Sequence, residues 1–96
     1  MARQAVYDIP ATVGTASSRV LPSNPNRYLC VLVNDSDTVI YLSFKGPASL
    51  NRGIRLNAAG GSYEINLTNP FRDEIYAISS AATKILLITE VSLFAY

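Results

Sequence analysis

Three segments of the chain are apolar at consecutive positions, namely residues 28–33 (Tyr-Leu-Cys-Val-Leu-Val), 39–44 (Val-Ile-Tyr-Leu-Ser-Phe) and 85–88 (Ile-Leu-Leu-Ile). Successive side chains of a strand point to opposite faces, so a sheet with one solvated face alternates apolar and polar residues. These segments do not alternate, which predicts strands with two largely apolar faces. A chain of 96 residues has little left to cover the second face. We therefore expect another copy of the chain, or a larger partner, to cover it.

The rest of the chain is divided into short apolar segments by turn residues. Together with the three segments above, they predict about seven short strands and no long helix, a pattern typical of an antiparallel β-sandwich or a jelly-roll-like barrel. The polar stretches 34–37 (Asn-Asp-Ser-Asp) and 79–82 (Ser-Ser-Ala-Ala) predict hairpin loops between the strands that flank them. The other predicted strands are 18–21, 53–56, 62–67 and 73–78, and the last strand covers 83–90.

Residues 1–16 show no helix or hairpin signal, and Pro10 and Gly14 indicate extended coil. Because apolar residues recur in this segment, we interpret it as an arm that docks on a partner; a frayed terminus is the alternative. The sequence thus predicts an arm (1–16) and a β-sandwich domain (17–96). The chain also ends in apolar residues. The predicted partner contacts are Val6, Tyr7 and Ile9 in the arm and Leu93, Phe94 and Tyr96 in the tail.

Composition and charge narrow the possible partners. Charged residues make up 16% of the chain, below the roughly 25% of typical soluble domains, which agrees with a surface hidden in contacts. The basic residues are scattered and the net charge is +1, so we expect no nucleic-acid partner. Arg52 and Arg55 can form a phosphate-binding rim, although a solvated edge is the simpler interpretation. No apolar stretch approaches the roughly 20 residues that span a bilayer, and we expect no membrane partner.

The chemistry of a catalytic or metal site is missing from the sequence. There is no histidine, so the commonest general base is absent, and the single cysteine, Cys30, allows no internal disulfide. We expect Cys30 to be a small buried hydrophobe. Asp35 and Asp37, with Asn34, can in principle hold Ca²⁺, but a solvated turn is the simpler interpretation. The sequence predicts no catalytic residues, no cofactor, no metal and no enzymatic activity.

A longer pattern of strand and turn motifs extends from residue 19 to residue 90. It consists of the segment 27–36 (Arg-Tyr-Leu-Cys-Val-Leu-Val-Asn-Asp-Ser), the segment 39–44, the stretch 53–56 (Gly-Ile-Arg-Leu), the Gly60-Gly61 turn, and the strands 73–78 and 84–90. This pattern of motifs resembles that of small β-sandwich virion proteins of tailed bacteriophages and prophages. The shared positions are core and turn residues, so the resemblance transfers no binding or catalytic residue. It implies a structural role in the particle, foremost capsid decoration (cement).

The preferred hypothesis is a decoration protein on the capsid surface of a phage, made in the cytoplasm of the bacterial host. It predicts contacts with the major capsid protein and with further copies of the chain, and we expect the copies to form a trimer. A first alternative is a head–tail connector or a tail or fibre component. A second is a receptor- or glycan-binding module, for which Tyr7, Tyr41, Tyr63 and Tyr76 can stack on sugars, although such tyrosines are more typical of sheet packing and the chain lacks tryptophan.

Overall fold

The computed structural model describes residues 2–95, with the side chains of residues 3–94. This part of the chain forms eight strands and no helix. The strands are β1 (Ala2–Val13), β2 (Ser18–Leu21), β3 (Arg27–Asn34), β4 (Ile40–Phe44), β5 (Ile54–Leu56), β6 (Ser62–Ile65), β7 (Ile75–Ser79) and β8 (Lys84–Ala95).

The strands form two four-stranded antiparallel sheets packed face to face. The first sheet has the order β1-β8-β3-β6 and the second has the order β2-β7-β4-β5. Of the neighbouring pairs, β4 and β5 alone are consecutive in the chain, because every other connection between described strands crosses from one sheet to the other. Eight strands in two such sheets make a jelly roll. The predicted all-β sandwich or jelly-roll-like fold is confirmed.

The two predicted hairpins at 34–37 and 79–82 are wrong. The first connection leads from β3 in the first sheet to β4 in the second, and the other leads from β7 back to β8 in the first sheet. The Asn34 side chain marks the first crossing, because its amide donates to the carbonyl oxygens of Thr38 and of Leu56 in β5, at 2.8 and 3.0 Å. Turn residues indicate where the chain reverses, but they do not decide which strand it pairs with afterwards.

The predicted arm is an integral strand of the first sheet. Residues 2–13 form β1, which pairs along its whole length with β8, from Ala2 opposite Ala95 to Val13 opposite Lys84. The eighth strand, absent from the sequence-based prediction, is therefore the arm itself, and the apolar tail as far as Ala95 belongs to β8. Pro10 indicated coil because it cannot donate to a ladder, but β1 lies at the edge of its sheet, where proline is tolerated.

The core lies between the two sheets, where the inner faces bury aliphatic side chains such as Leu32, Ile40, Leu42, Ile75 and Ile88. Cys30 is buried among them, as expected, and this burial raises the pKa of its thiol to about 12. These apolar contacts use the inner face of each sheet, and both outer faces lie outside the core.

Arg27 is the charged residue most deeply buried near one end of the sandwich, with 2% of its surface exposed. Its Nε donates to the Glu90 carboxylate at 2.7 Å. The remaining guanidinium nitrogens donate to three backbone carbonyls, those of Pro22, Phe71 and Asp73, at 2.8 to 3.1 Å. One side chain thus joins the first sheet to the loops that precede β3 and β7.

Candidate assembly interface

The outer face of the first sheet is largely aliphatic over its two central strands, β8 and β3, with Val6 of β1 beside them. Directly opposed residues of antiparallel strands share a face, so the strand register assigns each side chain to the core or to the outside. Leu87 and Leu93, each 38% exposed, and Val6, 67% exposed, lie on the outside. The complete aliphatic set of this outer face, hereafter the aliphatic face, is Val6, Leu29, Val31, Val33, Ile85, Leu87, Val91 and Leu93.

The aliphatic face is continuous from strand to strand, because neighbouring side chains stand in rows that cross the strands. In one row Val6 lies beside Val91, which lies beside Leu29; in another, Leu87 lies beside Val33. Exposed apolar side chains that occur singly are ordinary, but a contiguous apolar patch of this kind marks an interaction site. The arrangement therefore fits a broad, flat protein surface.

A groove extends the aliphatic face past the start of β3 and the end of β6. It has a volume of about 320 Å³ and is lined by Tyr28 and Leu29 on one side and by residues 66–68 on the other. Leu67, 61% exposed, stands on its rim. A smaller groove nearby shares Tyr28 and Leu67 and also includes Leu93, which belongs to the aliphatic face. The apolar surface available to a partner is therefore larger than the sheet alone.

The outer face of the second sheet has a different character, and it corrects the expectation that segment 39–44 is apolar on both sides. In β4 the outward residues are Tyr41 and Ser43, opposite Ile78 and Tyr76 of β7. The Tyr41 hydroxyl donates to the Asn51 side chain at 2.9 Å. The β4 strand therefore buries Ile40 and Leu42 and presents polar atoms outward, so the second sheet needs no apolar cover.

Two arginines stand on the edge strands of the second sheet. Arg19 in β2 pairs with Glu74 at 3.0 Å, and Arg55 in β5 donates to the Asn57 side chain at 3.1 Å. Arg55 also lines a shallow pocket of about 200 Å³ with Tyr41, Asn51, Arg52 and Gly53. The sequence placed Arg52 and Arg55 on one rim, and the structure brings them to the same pocket.

The structure divides the predicted contact residues between two faces. Val6 and Leu93 lie on the aliphatic face, near each other, because arm and tail pair as β1 and β8. Tyr7 and Ile9 point to the other side of β1, yet they are 46% and 37% exposed, because the four residues of β2 are too few to cover that strand. Phe94 is half-buried on the same side. Tyr96 lies outside the described residues.

Sequence reasoning missed the centre of the aliphatic face, which is formed by Leu29, Val31, Leu87 and Val91. The signal was present, since these residues are the outward half of the segments that fail to alternate. The sequence did not show which alternate residues of each strand point outward and which point inward, because that depends on which face of the sheet packs against the second sheet.

The tyrosines do not form one platform. Tyr63 packs against the core and makes an edge-to-face contact with Phe44, with ring centroids 6.0 Å apart. Tyr41 and Tyr76 lie on the outer face of the second sheet, whereas Tyr7 lies on β1 of the first. The four residues considered for sugar stacking are therefore distributed over three separate surfaces.

The turn that follows β3 uses its polar groups internally. Besides the two bonds of its amide, Asn34 accepts a hydrogen bond from the Ser36 hydroxyl at 2.6 Å. Lys84 donates to Asp37 at 2.7 Å and holds the pKa of that carboxyl below its ordinary value. Within residues 2–95 no group of three or more histidine, cysteine, aspartate or glutamate side chains is placed to bind a metal ion. The same residues contain no helix that could cross a membrane.

The architecture is thus a jelly roll with one aliphatic and one polar outer face. No protein-family model and no curated protein matches the chain. A solved structure from the Bacillus endospore appendages, described as a novel family of disulfide-linked pili, is similar in fold, with a TM-score of 0.60. The similarity covers 98% of this chain and 88% of the other, at 12% sequence identity. At that identity the similarity concerns the fold alone.

Proposed function

We propose that this protein is a structural subunit without enzymatic activity, held in a multi-protein assembly through its aliphatic face. The observation that carries the proposal is the set of eight aliphatic side chains on the outer face of the first sheet. An apolar surface of this continuity is costly in water and gains free energy when a partner covers it.

The magnitude of that gain favours an assembly of many copies. Covering the exposed part of eight half-buried aliphatic side chains contributes on the order of 10 kcal/mol at about 25 cal/mol per Å². The loss of translational and rotational freedom on association takes roughly 4–15 kcal/mol of it. One such contact is therefore marginal in isolation. A subunit that makes several contacts in a lattice or a fibre pays that entropic cost once, so repetition makes the assembly stable.

The assembly we propose first is the head of a tailed bacteriophage, where the protein acts as capsid decoration. The support is the resemblance of residues 19–90 to small β-sandwich virion proteins, together with a face suited to a broad, flat partner. In this role the aliphatic face contacts the major capsid protein or a neighbouring copy, and binding to the assembled shell stabilises it by linkage. A head–tail connector or a tail component uses the same face in a ring.

A pilus-like fibre is the second candidate, and the fold similarity to the Bacillus endospore appendages favours it. Those pili are described as disulfide-linked. In this chain the single cysteine, Cys30, is buried in the core and its thiol pKa is raised, so it is poorly placed to cross-link copies. A fibre of this protein would therefore be held together by non-covalent contacts between faces.

The decisive experiment substitutes one residue of the aliphatic face and measures binding to phage heads that lack the protein. Leu87→Lys places a charge in the centre of the face at a position that is already partly exposed. The matched control, Ser80→Lys, adds the same charge at an exposed loop position between β7 and β8. We expect occupancy of the heads to fall at least tenfold for Leu87→Lys and to stay at the wild-type level for Ser80→Lys.

Both variants are checked by circular dichroism melting, where we expect transitions within a few degrees of the wild type. If Leu87→Lys binds the heads as the wild type does, the aliphatic face is not the contact and the proposal fails. If the wild type does not bind heads but forms fibres visible by negative-stain microscopy, the pilus-like candidate replaces the capsid. Copy number separates the two virion roles, since hundreds per particle indicate decoration and six to twelve indicate a connector.

A further inference from the structure

We infer that the aliphatic face of one copy is covered by the outer face of the second sheet of another copy, so that the subunits stack head to tail. This inference rests on the proposed function and names the partner of its interface. It follows from the distribution of charge over the two outer faces, from the strand order of the two sheets and from the area available.

The charges on the two outer faces are opposite in sign and occupy matching strands. Among the described residues whose register places them on the outside of the first sheet, Asp8 in β1 and Glu64 in β6 carry charge, and both strands are edges. On the second sheet Arg19 in β2 and Arg55 in β5 stand on the two edges. Arg19 is paired with Glu74 on the same side of the second sheet, so the first face is acidic at both rims and the second is basic at its β5 rim.

The strand order aligns these charges when copies are stacked. The first sheet contacts the second through β1 against β2 and β7, and Asn34 at the end of β3 bonds to Leu56 in β5, so the two sheets run in the same order. Translating a copy along the normal to its sheets places its β2 over β1 of the next copy and its β5 over β6. Arg55 then faces Glu64, and Asp8 faces the ion pair of Arg19 with Glu74.

The centres of the two faces are also compatible. The same translation places β7 and β4, with Tyr76, Tyr41 and Ile78, over β8 and β3, whose outward residues are aliphatic apart from Thr89. Tyrosine and arginine are enriched at protein interfaces because they combine apolar area with a polar end. A tyrosine-rich centre with arginines at its rim is thus a suitable cover for the aliphatic face.

The alternative of pairing two aliphatic faces is disfavoured by their charge. In a symmetric contact of that kind Asp8 and Glu64 of both copies come to the same interface, and the described strands supply no basic residue on that face to compensate them. Like charges brought together at an interface oppose association. The head-to-tail contact instead pairs Glu64 with Arg55 and brings Asp8 beside Arg19, which Glu74 also contacts.

The area of the face requires an occupant as broad as a sheet. Strands about 4.8 Å apart that rise about 3.4 Å per residue give the first sheet a flat area on the order of 600 Å². A bound peptide covers one or two strands, whereas the second sheet of another copy has four. Its strands have three to five residues, so by the same spacings it covers on the order of 300 Å², about half of the face. A single contact is therefore smaller than a stable interface, which buries roughly 600–1,000 Å² on each partner, and repetition along a row has to stabilise it.

A head-to-tail contact is heterologous, and its geometry generates a row or a ring rather than a closed dimer. This property provides a sharp test with two capped variants. Leu87→Lys blocks the aliphatic face and leaves the second sheet intact. The double variant Arg19→Glu/Arg55→Glu reverses the charge at the rims of the second sheet and leaves the aliphatic face intact. Each variant is expected to fold, because all three positions are exposed.

Analytical ultracentrifugation distinguishes the possible outcomes. We expect the wild type to form a concentration-dependent series of species, each capped variant alone to stay at the 10.4 kDa of the monomer, and their equimolar mixture to give a one-to-one complex. Dimers of the arginine double variant alone would show that aliphatic faces pair with each other and would overturn the inference. A triple variant, Glu64→Arg/Arg19→Glu/Arg55→Glu, restores one charge pair and should regain part of the association.

The inference and the proposed function fail differently. If the wild type is monomeric at every concentration yet binds phage heads through Leu87, a foreign partner covers the face; the inference is then wrong and the proposed function survives. If the wild type is monomeric and Leu87→Lys changes binding to no particle, both are wrong. If copies associate head to tail but never bind heads, the inference stands and the capsid role does not.

Discussion

Replacing Arg27 with methionine should destabilise the fold more than any surface substitution. Methionine retains most of the length of the side chain but removes the guanidinium, leaving the Glu90 carboxylate, 7% exposed, without its counter-ion. Breaking a buried ion pair from one side costs about 3–5 kcal/mol, because an uncompensated charge stays in the interior. Three backbone carbonyls lose a donor at the same time.

The expected effect is large on the scale of the whole domain. A chain of 96 residues has an unfolding entropy near its melting temperature of about 0.2 kcal/mol per kelvin. A loss of about 4 kcal/mol therefore lowers the melting temperature by about 20 °C. Because small domains are stabilised by roughly 5–15 kcal/mol, the variant should be partly unfolded at 37 °C if the wild type lies at the lower end of that range.

A double-mutant cycle separates the ion pair from the carbonyl contacts. Glu90→Met removes the carboxylate but leaves Arg27 bonded to its carbonyls, and the double variant Arg27→Met/Glu90→Met removes both charges. We expect the double variant to cost at least about 1 kcal/mol less than the sum of the two single changes, because neither charge is left alone. Urea unfolding followed by circular dichroism measures all three. A cost below about 1 kcal/mol for Arg27→Met, or strict additivity, would refute the reasoning.

Three further predictions concern single sites. Gly53 has a φ of +78°, and a Cβ there would overlap the Leu42 carbonyl oxygen, so Gly53→Ala should lower the free energy of unfolding by at least about 2 kcal/mol. Gly14 has open space around it, so Gly14→Ala should change that free energy by less than about 0.5 kcal/mol. Urea unfolding measures both, and equal effects would contradict this prediction. The hydrogen bond from Lys84 lowers the pKa of Asp37 below 3.8. The pair therefore stabilises the fold above that pH and loses its effect as pH falls through the lowered value. Lys84→Met should raise the pKa of Asp37 in an NMR titration, and an unchanged titration would exclude the interaction. Cys30, with a thiol pKa of about 12, should react with an aromatic disulfide reagent at pH 8 at least about 100-fold more slowly in the folded protein than in urea, and comparable rates would show that the core opens readily.

The sequence was sufficient for the fold class and for most of the strands. Short apolar segments between turn residues lie where β3, β4 and β5 lie, because the period of side-chain direction is a local property. The pairing of those strands is not local. The polar turn after Asn34 is equally compatible with a hairpin and with a crossing between the sheets. Only the packing of the two sheets selects the crossing.

The arm shows the same limit at an edge. Its residues lack the β-branched density of a central strand, and Pro10 interrupts the donor pattern, so a propensity argument predicts coil. The strand exists because β8 offers a ladder along its full length, from Lys84 to Ala95. Arg27 was unpredictable for a related reason, since its carboxylate partner is 63 positions away in the chain and a charged residue at a strand end is normally exposed.

The sequence predicted that an apolar outer face exists, but not how that face affects the folding of a single copy. A chain of 10.4 kDa that folds alone exposes about 5,400 Å² by the usual scaling with mass, and this one exposes 5409 Å². The single copy is therefore as compact as an ordinary monomer of its size, so covering the aliphatic face is not required for the chain to fold. What distinguishes the molecule is that eight aliphatic side chains share the outer face of one sheet, among them the exposed Val6, Leu87 and Leu93. Selection for stability of the monomer alone has no use for that arrangement, since polar residues at Leu87 or Val31 would leave the core unchanged. The association that we propose accounts for it.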